Sequence, residues 1–157
     1  MEKRTLFMLG LSGVLIVVLL LAGYYKVEMA RKNTILATLE LDKSCDLQKT
    51  ACRLNLPNGG SVTLDMQPKP IPLVQNFSIK VNTQVIKVEA ISVDFKGTTM
   101  NMGPNSRKLK RSEPSLFTGT GMLPVCIRNS MEWQADVYLQ TSEGIIVAPF
   151  VFITRKH

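Results

Sequence analysis

Four methionines and one cysteine are the side chains of this sequence best suited to bind a metal ion. Met100 and Met102 lie two residues apart in a glycine-flanked segment, so they point to one face if that segment is extended. Met122 and Met131 bracket Cys126 further along the chain. Thioethers and thiolates are soft ligands that select copper(I). The pattern predicts a copper(I) site built from these five residues. The alternative is ordinary packing or contact with a partner, because methionine also fills irregular gaps.

The other two cysteines, Cys45 and Cys52, flank six residues. Disulfides form in oxidising compartments, and closing so short a ring is worth roughly 2.5 kcal/mol on the chain-entropy estimate. We therefore predict a structural disulfide between Cys45 and Cys52, with Cys126 left as the odd thiol. Because Cys126 stands between apolar residues, a buried and inert thiol is the alternative to a metal ligand.

Catalysis is not expected from this sequence. Its single histidine is the last residue, His157, which excludes histidine-based triads and histidine-rich zinc sites. No nucleophile–base pair, glycine-rich phosphate loop or nucleophile elbow appears in the sequence. Cys45 and Cys52 also lack the C-x-x-C spacing of a thiol oxidoreductase. We expect a binding or assembly protein that is not an enzyme.

The chain is basic, with 19 lysines and arginines against 12 aspartates and glutamates, a formal net charge of +7 at pH 7. A basic domain beside a lipid surface attracts anionic head groups or acidic partners. We expect no nucleic-acid partner, because basic and aromatic residues are not interleaved. The densest basic cluster is a candidate partner or lipid contact, although charged side chains also protect strand edges from unwanted pairing. This cluster consists of Arg107, Lys108, Lys110 and Arg111.

A membrane anchor is predicted near the N-terminus, where an uncharged stretch follows Lys3 and Arg4. The stretch has 21 residues. As a helix it is about 31 Å long, which matches a hydrocarbon core of roughly 30 Å. No A-x-A cleavage site follows, so we predict an uncleaved signal anchor with Tyr24 and Tyr25 at the interface. The expected layout in a bacterial inner membrane is a cytoplasmic tail, an anchor, a linker and a periplasmic domain: residues 1–4, 5–25, 26–33 and 34–157.

Beyond the anchor, apolar and polar residues alternate with the period of two that is typical of half-buried strands. The clearest examples are residues 77–82 and 132–140, the second with Trp133 on its apolar face, where we expect a core role. Residues 145–153 are apolar on both faces, which predicts a central strand. Two stretches with proline or glycine are expected to be connections: residues 67–72 and 119–124. About seven or eight short strands predict an all-β, immunoglobulin-like β-sandwich.

Several short motifs follow one another in residues 75–153. They are a Met-x-Met-Gly loop with Met100 and Met102, a Phe-Thr-Gly-x-Gly strand, and a Met-Glu-Trp-x-Ala-x-Val strand with Trp133. This succession resembles the FixH/YtkA-like domains, which are membrane-anchored immunoglobulin-like sandwiches. The resemblance implies copper handling and cytochrome oxidase maturation, with Met100 and Met102 on the methionine loop and Trp133 on a core strand. The sequence departs from that family in having no histidine beside the loop.

Two functions are expected from these observations. The first is a periplasmic accessory protein, tethered to the inner membrane, that binds or delivers copper(I) for assembly of a respiratory oxidase. The second is a metal-free assembly factor or structural partner of an inner-membrane complex, with the sandwich edge and residues 100–105 as its contact surface. The two differ in whether the methionines bind copper(I).

Overall fold

The structure is a computed structural model that describes residues 2–57, 59–84, 86–125 and 129–156. It divides after Thr34 into a helical unit and a unit of strands. The elements are, in chain order, α1 (Glu2–Lys32), β1 (Ile35–Thr38), β2 (Cys52–Asn55), β3 (Ser61–Gln67), β4 (Asn76–Gln84), β5 (Ala90–Gly97), β6 (Ser106–Glu113), β7 (Leu116–Met122), β8 (Ser130–Gln140) and β9 (Ile145–Arg155).

The helix α1 is a candidate membrane span. Its segment Gly10–Lys32 is long and apolar enough to cross a membrane, and none of it is buried within the fold. An apolar helix without a polar face is typical of a span and not of a surface helix. The expected linker, residues 26–33, is helical as far as Lys32, because it contains neither glycine nor proline. Glu28 and Arg31 form an ion pair at 3.7 Å, one turn apart on this part of the helix.

The described strands form one continuous sheet in the order β1-β9-β8-β5-β6-β7-β4-β3-β2. Strand β6 pairs with β5 through residues 106–109 and with β7 through residues 110–113. The sheet therefore folds over at β6 into two facing layers, and the predicted all-β sandwich is confirmed. β1 runs parallel to β9, whereas the other neighbours are antiparallel.

The core lies between the two layers and is built from the inward-facing residues of strands along which buried and exposed residues alternate. Burial alternates residue by residue along β4, as the sequence pattern predicts. The rings of Phe77 on β4 and Phe95 on β5 meet edge to face, with 5.7 Å between their centroids. Trp133 is fully buried, and its indole N–H donates to the hydroxyl of Thr154 at 2.9 Å. Trp133 thus has the core role that was expected, with its one polar atom satisfied.

Residues 119–124 are not simply a connection, because β7 continues through Gly119 and Gly121 to Met122. A Cβ at Gly119 would lie 2.6 Å from Cδ2 of Leu109, and one at Gly121 would lie 2.7 Å from the ring of Phe77. Core side chains from neighbouring strands occupy the space above both glycines. The glycines therefore mark close packing inside a strand, where the sequence predicted a loop.

Strand β9 is apolar on both faces, but it is not the central strand that its composition predicts. It lies second from the edge of the sheet, and β1 pairs only with its residues 145–147. β1 has four residues and no alternation of burial. Short edge strands of this kind lack the pattern by which strands are recognised, which is why the described residues form nine strands where about seven or eight were expected.

The chain between β1 and β2, residues 39–51, is termed the strap. It leads from the edge strand of one layer to the edge strand of the other, so it closes the side of the sandwich opposite β6. Leu47 of the strap is completely buried in the core. The ammonium group of Lys69 donates to the carbonyl oxygens of Leu47 and Thr50 at 2.7 and 2.9 Å. These bonds satisfy backbone acceptors that lie outside any strand.

Two further links fix the strap to both layers. The side-chain amide of Gln48 donates to the carbonyl of Ile153 on β9 at 2.8 Å, and its oxygen accepts from the N–H of Ile71 at 2.6 Å. Cys45 and Cys52 form a disulfide with their Cα atoms 5.8 Å apart, so the predicted pairing is confirmed. The strap is therefore attached to β9 by a hydrogen bond and to β2 by a covalent bond.

Replacing both bridged cysteines, Cys45→Ser with Cys52→Ser, should lower the free energy of unfolding by roughly 2.5 kcal/mol, because the short ring no longer restricts the unfolded chain. Urea denaturation of the full chain in detergent measures this change. Wild type with reductant should match the double variant, while Cys126→Ser, which keeps the bridge, should stay close to wild type. Equal stability of wild type and double variant would show that the bridge does not stabilise the fold.

Candidate functional site

The methionine loop, residues 98–105, connects β5 to β6 and is tied to neighbouring strands at both ends. The Thr98 N–H donates to the carbonyl of Glu132 at 3.1 Å, and its hydroxyl donates to the Glu132 carboxylate at 2.8 Å. At the other end, the side-chain amide of Asn105 donates to the carbonyl of Met122 at 3.0 Å. Residues 96–103 line a cavity of about 430 Å³ between these ties. The loop is thus fixed in place around a small space.

Three of the expected ligand residues converge on Gly97, the last residue of β5. A Cβ there would lie 2.2 Å from Cε of Met131, 3.2 Å from Cγ of Met102 and 2.4 Å from the carbonyl oxygen of Met100. Met131 is only 4% exposed, and the side chains of Met100 and Met102 are partly buried against the same core. Strand pairing places Met131 here, because Gly97 is the register partner of Trp133 on β8. The missing side chain at Gly97 leaves room for the side chains of Met131 and Met102 and for the backbone of Met100.

The hydroxyl of Thr99 donates a weak hydrogen bond to the sulfur of Met131, with 3.9 Å between the two atoms. A thioether sulfur has two lone pairs, so one remains for a soft metal. Sequence reasoning did not identify Thr99 or Gly97 as part of the site. The only local signal was a glycine at the end of an apolar strand, which often marks a close approach of another group.

Of the other two expected ligands, Met122 lies within the described residues and does not join this cluster. Met122 is 42% exposed and ends β7 on the face opposite Gly121, which is buried. Alternation along the strand thus directs the Met122 side chain away from the core that holds Met131. Cys126 lies outside the described residues, so its roles as a ligand and as a free thiol stay predictions.

Beside the cluster, Lys96 forms a polar network on the outer face of β5 and β8. Its ammonium group donates to Asp136 at 2.9 Å and to the hydroxyl of Tyr138 at 3.3 Å. The hydrogen bond to Asp136 is the main cause that raises the pKa of Lys96 above its ordinary value. Gln134 donates to the other carboxylate oxygen of Asp136 at 2.7 Å. Because both of its carboxylate oxygens accept hydrogen bonds, Asp136 stabilises the fold and is not available as a metal ligand.

The basic cluster of β6 divides into a structural arginine and surface side chains. The guanidinium of Arg111 donates to the carbonyl of Val88, donates to that of Pro114 at 2.9 Å, and stacks over the ring of Phe117 at 4.5 Å. Arg111 is therefore engaged within the domain although it is exposed, and its expected role as a partner or lipid contact stays a prediction. The remaining members are half-buried Arg107 and exposed Lys108 and Lys110.

Among the residues that the structure describes, no group of three histidine, cysteine, aspartate or glutamate side chains is placed to hold a metal ion. Comparison of the chain with protein-family models, curated proteins and solved structures finds no match. The resemblance to FixH/YtkA-like domains therefore stays a prediction from the sequence motifs. Met100, Met102 and Met131 form the candidate site on geometry alone.

Gly97→Ala should destabilise the protein by about 1–3 kcal/mol, as overpacking of a filled core does. The added methyl group meets the backbone carbonyl of Met100, which moves only with the loop. Gly119→Ala is the matched control, because its methyl group meets Cδ2 of Leu109, the far end of a flexible side chain. Thermal unfolding of both variants should show the larger loss for Gly97→Ala. A larger loss for Gly119→Ala would contradict the crowding at Gly97.

Proposed function

We propose that this chain is a single-span protein of the bacterial inner membrane whose strand domain lies in the periplasm. Three observations support the proposal. The apolar helix α1 is a candidate membrane span. Lys3 and Arg4 precede the uncharged stretch of this helix, and a short basic tail normally stays in the cytoplasm. The Cys45–Cys52 disulfide suits an oxidising compartment outside the cytoplasm.

The proposed function of the domain is to bind copper(I) at the methionine cluster, as an accessory protein for assembly of a respiratory oxidase. The observation that carries the proposal is the approach of the Met131 and Met102 side chains to Gly97, with the backbone of Met100 beside them. Core packing alone does not require two of these methionines to lie in a loop, half-exposed beside a cavity. The proposal that the copper(I) is used in assembly of a respiratory oxidase rests on the sequence resemblance.

The methionine side chains are chemically suited to bind copper(I). Thioether sulfurs are uncharged soft donors, which suit a soft monovalent ion and are poor ligands for hard cations. Met131 would contribute its free lone pair from the core side, and Met102 and Met100 would contribute theirs from the loop. Thr99 orients the Met131 sulfur through its hydroxyl. The proposal gives the chain a binding role and no catalytic one, and Cys126 would extend the ligand set only as its thiolate.

The copper proposal is tested with Met102→Leu combined with Met131→Leu in the full chain in detergent. Leucine nearly preserves volume and apolarity, so each swap should cost under about 1.5 kcal/mol of stability while it deletes a sulfur donor. We expect copper(I) affinity to fall at least about ten-fold, or 1.4 kcal/mol, in competition with a chromophoric copper(I) chelator.

The matched control is Met122→Leu, which removes a methionine whose side chain lies on the other face of its strand. It should compete for copper(I) as wild type does. If wild type and the Met102→Leu, Met131→Leu variant compete equally well, the cluster is a packing feature. The metal-free partner role then becomes the better proposal.

The membrane orientation is tested by fusing alkaline phosphatase, and separately green fluorescent protein, to the C-terminus. We expect an active phosphatase and a dark fluorescent protein, because both report on export across the inner membrane. The reverse pair of results would place the strand domain in the cytoplasm and contradict the proposed location.

A further inference from the structure

A cleft opens at the end of the sandwich where β1 begins. Its volume is about 560 Å³, within the range of roughly 300–1,000 Å³ that is typical of small-molecule sites. One layer contributes β1, β9 and the turn between β8 and β9, and the other contributes the turn between β2 and β3 and the connection after β4. The residues that define the cleft are Leu36, Leu56, Ile86, Lys87, Glu143 and Ile146.

The cleft has apolar walls that reach into the core. Leu56 and Ile146 belong to the buried core, at 6% and 8% exposed. Ile86 is partly buried and packs against the same core, whereas Leu36 on β1 is 49% exposed. An apolar ligand in the cleft would cover Leu36 and Ile86 and contact core side chains directly, which is favourable because it removes apolar surface from water.

The two turns beside the cleft bond their backbone groups internally. In the turn between β2 and β3, the Leu56 N–H donates to the carbonyl of Gly60 at 2.8 Å, and the Gly59 N–H donates to the carbonyl of Leu56 at 3.1 Å. In the turn between β8 and β9, the N–H and the hydroxyl of Thr141 both donate to the carbonyl of Gly144 at 2.8 Å. These bonds leave few groups for a polar ligand, so the cleft favours hydrocarbon inside it.

One cation and one anion are the charged side chains among the described lining residues, namely Lys87 and Glu143. Both residues are exposed, and neither forms an ion pair with another residue that the structure describes. Two opposite charges beside one apolar cleft complement a head group that carries both a phosphate and an ammonium group. A head group with a negative charge alone would leave Glu143 uncompensated.

The place of the cleft in the chain favours a membrane lipid as its ligand. Leu36 follows Lys32, the last residue of α1, by four positions, and four extended residues span at most about 14 Å. Because α1 is a candidate membrane span, a bilayer that holds it supplies lipid to the tethered domain at high local concentration. This step rests on the membrane location proposed above, and it does not depend on copper binding.

We propose that the cleft binds one acyl chain of a zwitterionic phospholipid of the phosphatidylethanolamine type. The acyl chain lies between the two layers, against Leu56 and Ile146. The phosphate of the head group lies beside Lys87, and its ammonium group lies beside Glu143. The apolar walls provide the affinity, and the two charges select the head group.

The test uses the full chain in phosphatidylglycerol nanodiscs that contain phosphatidylethanolamine with a diazirine at the end of one acyl chain. After illumination, labelled peptides are mapped by mass spectrometry. We expect label on α1 and also on the cleft, at residues 35–37 or 86–87, which the chain end reaches only by leaving the bilayer. Label on α1 alone would overturn the inference. Absence of label from α1 would contradict the membrane span itself, and with it the inference.

The head group is tested with a second probe and a charge reversal. Phosphatidylglycerol with the same diazirine should label the cleft less, because its head group has no ammonium for Glu143. Lys87→Glu should lower labelling of the cleft by the phosphatidylethanolamine probe about two- to five-fold, as loss of an exposed ion pair does. Lys108→Glu, the same charge change on β6, should not. Equal labelling by the two lipids, or an equal loss in the two variants, would overturn the proposal.

The acyl chain is tested with Leu36→Asp, which places a charge against hydrocarbon and should lower labelling of the cleft at least about ten-fold. The matched control is Ile153→Asp, because Ile153 is similarly exposed, at 45%, but does not line the cleft. The control should label as wild type does, and melting curves confirm that each variant is folded. If native mass spectrometry finds a dimer that Leu36→Asp converts into a monomer, a second copy of the chain occupies the cleft and the lipid proposal is wrong.

Discussion

Closure of the sandwich by the strap is the constraint on which the rest of the domain depends. The two layers are one sheet folded at β6, so the side opposite β6 would otherwise expose core residues of both layers to water. Leu47 fills this side from within, and Gln48 joins the two sides with its amide. The ammonium group of Lys69 satisfies strap carbonyls that have no strand partner. The strap has no regular secondary structure. It is nevertheless held against the core with these carbonyl groups hydrogen-bonded.

The same closure explains why β1 pairs with only the first residues of β9. The strap leaves the sheet after Thr38 in order to reach β2, and it is hydrogen-bonded to β9 through Leu39 at Val147 and through Gln48 at Ile153. A longer β1 would have covered the edge but could not also have crossed to the other layer. The edge is short, bears Pro149 and ends in cationic residues, which are features that limit uncontrolled pairing.

The methionine cluster lies partly in the buried core and partly in a loop. Met131 belongs to the buried core, and Met100 and Met102 belong to a loop that is tied to neighbouring strands at both ends. A ligand that engages both groups would link the loop to the core, and ligands that bind only the folded state stabilise it by mass action. Lys96 and Asp136 hold β5 to β8 beside the cluster. The strand that carries Gly97 is therefore held to β8 next to the methionines.

Local patterns in the sequence were sufficient to predict several features of the structure. The remaining features were decided by the register between strands that are distant in sequence. The uncharged stretch before Lys26, the alternation around Trp133 and the Cys45–Cys52 spacing are short-range signals, and each has its expected counterpart in the structure. The meeting of Met131 with the loop depends on the pairing of β5 with β8, where a slip of one residue would turn Met131 to the outer face.

The roles of Gly119, Arg111 and the edge of β9 were likewise set by contacts between segments far apart in sequence. Leu109 fills the space above Gly119, and Val88 and Phe117 engage Arg111. The sequence shows a glycine, a basic cluster and an apolar strand at these positions, each compatible with more than one environment. Only the packing of the two layers decides between them, because side-chain contacts between strands are fixed by register and closure and not by local periodicity.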